Sequence, residues 1–125
     1  MQKIFKCKSK IQIYLLFLMM IFNETIHSQS IVPSEILGGC VASYNVMIPR
    51  RTNAEQIKSM TNIRDKIYST AINGIKIPEE ELKLQIASKT AVFLRELNQK
   101  DTNSVITSSN QIWDIIGFCR KEFAK

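Results

Sequence analysis

Histidine is nearly missing from this chain of 125 residues, which holds only His27. A serine or cysteine nucleophile normally relies on an imidazole base, so hydrolytic triads and cysteine–histidine pairs have no obvious foundation here. Cysteine is also scarce, at three residues. A thiolate metal site usually needs about four ligands, with histidine or further cysteines among them, so no metal site is expected. Four glycines and three prolines leave no glycine-rich phosphate loop and no low-complexity linker. Alternating apolar and polar runs are lacking beyond the first thirty residues, which argues against strands. There is no internal repeat.

What the chain does have begins at its amino terminus. Lys3, Lys6, Lys8 and Lys10 precede the mostly apolar run "IQIYLLFLMMIF" from Ile11 to Phe22. A basic start followed by about a dozen apolar residues is the layout of a secretory signal peptide. The run falls short of the roughly 20 apolar residues that an ordinary bilayer span requires. A signal peptide over 1–28 is therefore expected, with Ser30 as an alternative cut site, followed by one domain over 31–125. His27 leaves with it under either cut. So does the glycosylation sequon Asn23-Glu24-Thr25.

Half of the formal charge of +6 lies in that leader. After a cut at Ser28, thirteen Lys and Arg face ten Asp and Glu, so the remainder is only weakly basic. With the charges interspersed and no nucleic-acid motif present, no nucleic-acid partner is expected. Nor is membrane association expected once the leader is gone. The small residues before Cys40, in "ILGGC", resemble a lipoprotein cleavage site. Thirteen mostly polar residues separate them from the apolar run, however, and Cys7 precedes it, so neither cysteine suits lipid attachment. Two cysteines, Cys40 and Cys119, remain in a chain bound for an oxidising compartment. Their number and destination predict one disulfide.

Four helical patterns follow. The first runs from Ser34 to Ile48, with Pro33 ahead and Pro49 behind, and places Leu37, Cys40, Val41, Tyr44 and Ile48 on one face. Gly38 and Gly39 weaken it, yet would permit close approach of a neighbour. The second opens on two overlapping capping registers, Thr52 with Glu55 and Asn53 with Gln56. Ile57, Met60, Ile63, Ile67 and Ala71 line its face, and Asn73-Gly74 supplies the stop. The third begins at Pro78, with Glu79, Glu80 and Glu81 at the positive end of the helix dipole. Leu82, Ile86, Thr90, Phe93 and Leu97 form its stripe, flanked by Ala87, Ala91 and Leu94. The fourth carries Val105, Ser109, Ile112, Ile116, Cys119 and Phe123, with Trp113 alongside. Its opening "VITSSNQ" is a poor helix former, so that end is expected to fray or start late.

Short connections between amphipathic helices point to an all-α, four-helix up-down-up-down bundle. That topology sets the start of the first helix beside the end of the fourth, where Cys40 and Cys119 lie. The bundle and the disulfide thus support one another.

Chemistry is harder to find. Glu79, Glu80 and Glu81 project about 100° apart and suit a solvated first turn rather than a convergent acid pair. Arg50 and Arg51 suit the negative end of the first helix, with anion binding as the rarer use. Ser108 and Ser109 lack a base, and "NGIK" at 73–76 reads as a helix terminator. Trp113 fits a core edge or, less often, a partner-binding anchor. No cofactor is expected. The expectation is a secreted or periplasmic, non-enzymatic protein that binds another protein through its surface. The alternative is a carrier of a small apolar ligand, favoured if Gly38, Gly39 and Ala87 border a cavity.

Overall fold

The computed structural model describes residues 32–124. The expected signal peptide lies outside the described residues, as do the two end residues of the expected domain. Among the described residues there are four α-helices and no strand: α1 (Pro33–Met47), α2 (Ala54–Ser69), α3 (Glu79–Leu97) and α4 (Thr102–Phe123).

The helix ends follow local chemistry. Pro33 occupies the first turn of α1, where its missing N–H costs nothing, and Pro49 turns the chain through a short 3₁₀ segment at Ile48–Arg50. Of the two capping registers before α2, the second forms: the Asn53 side-chain oxygen accepts from the Gln56 N–H at 2.9 Å. The far end of α2 widens into a π-turn at Thr70–Gly74. The helical turns end at Gly74, where the stop is expected, and the chain turns left-handed two residues later. Lys76 takes the left-handed conformation, with φ of 68°, and the Ile77 N–H reaches back to the Ala71 carbonyl at 2.9 Å. This is the helix closure usually given to glycine, and Gly74, which has no positive φ, does not provide it. Pro78 sits just ahead of α3 rather than inside it.

The opening of α4 corrects one expectation. The helix is formed from Thr102 instead of starting late, with Ser104 Oγ donating to Asp101 Oδ2 at 2.8 Å. That bond occupies a serine hydroxyl that would otherwise compete for backbone groups.

Helix α1 is the larger surprise. Eleven of its fifteen residues are buried, so it is covered on all sides rather than along one face. The other three helices all pack on it, and α3 packs closest. A Cβ added at Gly38 would lie 2.6 Å from the Gln85 Cβ and 3.1 Å from the Gln85 carbonyl carbon. Glycine is what allows the two backbones to approach so closely. By contrast α2 and α3, though consecutive, are not among the substantially packed pairs. In a square bundle each helix packs on its chain neighbours, whereas here α1 packs on all three other helices. The expected four helices are present, and three of them pack around the first.

Leu37, Tyr44, Met47, Ile67, Leu82, Phe93 and Ile112 are the largest buried side chains. Cys40 and Cys119 are each 1% exposed and form a disulfide with Cα atoms 5.8 Å apart. It fastens the central helix to α4. Further ties hold α2 in place: Arg64 donates to the Asn45 side-chain oxygen at 3.0 Å, and the Thr70 hydroxyl donates to the Phe123 carbonyl at 3.2 Å.

Candidate interaction surface

The residues singled out for chemistry are scattered. Glu79 accepts a hydrogen bond from the Tyr68 hydroxyl at 2.8 Å, and Lys83 lies 3.9 Å from it one turn on. That hydrogen bond is the main reason the Tyr68 hydroxyl is held above its ordinary value. Glu79, Glu80 and Glu81 are all exposed, as a solvated first turn should be. Ser108 is buried, and its hydroxyl donates to Glu96 Oε1 at 3.1 Å, so it is engaged as a structural donor. Arg51 does meet Trp113. Its guanidinium carbon stands 5.0 Å from the ring centroid, a cation–π distance that joins the α1–α2 connection to α4.

Two internal features carry altered acidity. Lys89 of α3 is only 6% exposed, a placement that its helical stripe did not foretell. Burial pushes its ammonium below the ordinary lysine value, and the carboxylate of Glu35 on α1 partly offsets that. Glu35 is correspondingly pushed up by burial, with Lys89 pulling the other way. The Tyr44 hydroxyl, 1% exposed and with no hydrogen-bond partner among the described residues, is raised by burial and lowered in part by Arg120. All three residues lie between packed helices.

Gly38, Gly39 and Ala87, the residues of the alternative carrier reading, differ in their surroundings. Gly38 is packed on Gln85, and Ala87 faces solvent, leaving only Gly39 with room for an added Cβ, which would meet no atom within 4 Å. A hollow of about 370 Å³ does open at the α3–α4 corner. Its walls include Glu96, Gln99, Asn103, Thr107 and Gln111, which suit water and polar groups rather than an apolar ligand. Among the described residues no cluster of His, Cys, Asp or Glu could hold a metal ion, and no helix is long and apolar enough to cross a membrane.

The outer face of α3 is different. Leu84 is 70% exposed and Leu94 is 41% exposed, and Ala87 and Ala91 between them are exposed as well. Their spacings of three, four and three place all four on a single helical stripe. It lies opposite the inward stripe of Leu82, Phe93 and Leu97. The alanines and Leu94, expected to flank the core, therefore face outward. Comparison with family models, curated proteins and solved structures finds no match to this chain. The geometry of this face must carry the functional reading by itself.

Flanking the stripe are Lys83, Glu81, Ser88 and Arg95, all exposed. An apolar strip rimmed by charge is a common form for a protein-binding surface, whereas single scattered apolar residues such as Ile106 need no such explanation. The signal available in the sequence was the second period of three and four within α3. Two apolar stripes share that helix, and only packing shows which is inside.

Proposed function

We propose that the protein is exported and works without catalysis, by binding another protein molecule through the outer face of α3. The observation that carries this reading is the exposed Leu84–Ala87–Ala91–Leu94 stripe on a helix whose opposite side is fully committed to the core. A well-supported helix presenting an apolar strip is suited to helix-on-helix or helix-in-groove recognition. The Cys40–Cys119 disulfide supports an oxidising location, secreted or periplasmic.

Lys83 borders the stripe, while Lys58 lies on α2, exposed and on another element. Amine cross-linking in cells that produce the protein, followed by mass spectrometry, should enrich Lys83 over Lys58 in links to other protein molecules. Leu84→Glu should remove that enrichment. Equal labelling of the two lysines, unchanged by Leu84→Glu, would refute the reading.

A further inference from the structure

The exposed stripe on α3 extends at both ends in a regular pattern. Glu80, Leu84, Ala87, Ala91, Leu94 and Asn98 are separated by four, three, four, three and four residues. This is a heptad seam spanning six positions and about 27 Å of helix. All six residues are exposed. Such a seam is complementary to another seam of the same kind, and its charges determine which orientation is allowed.

Pairing two copies side by side in parallel would set Glu80 against Glu80, two like charges within the seam. Antiparallel pairing removes that conflict. Leu84 then meets Leu94 of the second copy, Ala87 meets Ala91, and Glu80 meets Asn98. The two alanines at the centre let the helices approach closely, and the leucines close over each end. The rim agrees with this register. Glu81, Ser88 and Arg95 recur every seven residues along one side of the seam. In the antiparallel arrangement the same side faces itself, so Glu81 of each copy stands beside Arg95 of the other, with Ser88 beside Ser88 on the two-fold axis. One opposite-charge pair forms at each end. The other rim, carrying Lys83, gains no like-charge clash, because the position facing it is the buried Leu97.

From this register and charge pattern we infer that the protein's partner at this face is a second copy of itself, joined as an antiparallel α3–α3 homodimer. The inference rests on the interaction reading above and names its partner. One helix pair buries less than the roughly 1,200–2,000 Å² of standard stable complexes, so the dimer is a weak one, with dissociation in the range of roughly 10–500 µM.

Sedimentation velocity of the purified protein from about 10 µM to 1 mM tests it. The sedimentation coefficient should rise from a monomer to a dimer value with concentration. Ala91→Glu, on an exposed site, should hold the protein monomeric with an unchanged circular dichroism spectrum. Glu81→Arg and Arg95→Glu should each weaken self-association roughly tenfold, because each reverses both symmetry-related pairs. An equimolar mixture of those two variants should recover the wild-type association, since every pair is again of opposite sign. A wild-type chain that stays monomeric throughout would overturn the inference. So would a dimer indifferent to Ala91→Glu, or charge variants that fail to complement. A monomeric wild type whose Lys83 cross-links reach a different protein and are lost with Leu84→Glu would leave the interaction reading standing while self-pairing falls. Loss of both results would remove both.

Discussion

Two adjacent glycines in the central helix should respond to the same substitution with opposite signs. At Gly38 the added methyl carbon would stand 2.6 Å from the Gln85 Cβ, 3.1 Å from its carbonyl carbon and 3.3 Å from the Ile86 nitrogen. Two of those three atoms are backbone and the third is fixed to it, so no rotamer change relieves the overlap. Restoring ordinary contact requires α1 and α3 to separate by about 1 Å, and overpacking of this kind costs roughly 1–3 kcal/mol. Alanine returns about 1 kcal/mol in helix propensity, leaving Gly38→Ala destabilised by up to about 2 kcal/mol. At Gly39 the same methyl meets nothing within 4 Å, so the propensity gain stands alone. Gly39→Ala should therefore be stabilised by about 1 kcal/mol. The two variants then differ by about 1–3 kcal/mol, which at about 4–8 °C per kcal/mol for a domain of this size separates their melting temperatures by roughly 4–24 °C. Thermal and urea unfolding followed by circular dichroism would measure it. A double-mutant cycle with Gln85→Gly adds a control, because removing that Cβ should recover part of the Gly38→Ala loss. If both alanine variants move the same way, the close α1–α3 approach described above is wrong.

Three other outcomes can be checked on the purified protein. Reduction, or Cys40→Ser, opens a loop of 79-residue separation, and the chain-entropy model puts the loss at about 4.5 kcal/mol as an upper figure; an unchanged urea midpoint would mean the bond contributes nothing. Burial raises Glu35 above its ordinary 4.5, so the folded state holds that proton more tightly than the unfolded chain. The resulting stabilisation is complete below pH 4.5 and is lost as the pH rises through the raised folded value, so Glu35→Gln should flatten that part of a stability–pH profile. Finally, truncation after Glu122 removes the carbonyl that accepts from Thr70, and hydrogen exchange should quicken within Thr70–Gly74 while Glu79–Glu81 stay unaffected. Faster exchange at 79–81 instead would place the tail against that acidic turn.

The helices were legible because their signals are local. Prolines at 33, 49 and 78, the Asn53 cap and the recurrence of Ile, Leu and Phe at three and four residues depend only on neighbours in the chain. The disulfide followed from cysteine number and the expected compartment, without geometry. The central position of α1 was not legible in the same way. Its covered sides are made by Gly38, Gly39, Ala42 and Ser43, small residues that add nothing to an apolar stripe yet bury completely when another backbone comes close. Lys89 escaped for a related reason, since a lysine interrupts a stripe in sequence but can lie inside when a carboxylate such as Glu35 is near. The left-handed turn at Lys76 beyond the end of α2 contradicts residue preference, and only the bond from Ile77 back to Ala71 reveals it. As for the outer α3 face, its spacing was visible, but its exposure depends on which neighbours α3 selects.

The position of the disulfide also decides how the molecule would bear a pull. Tension applied between Val32 and Ala124 enters α1, crosses the sulfur–sulfur bond at Cys40 and leaves through the last turn of α4. The chain between the two cysteines, including α2 and α3 in full, lies outside that path. Stretched in the oxidised state, the described segment could lengthen only through its two short ends, to roughly 50 Å of extended chain. After reduction the same segment could extend to roughly 330 Å. The α3 backbone would carry none of a load that opened both ends of the domain.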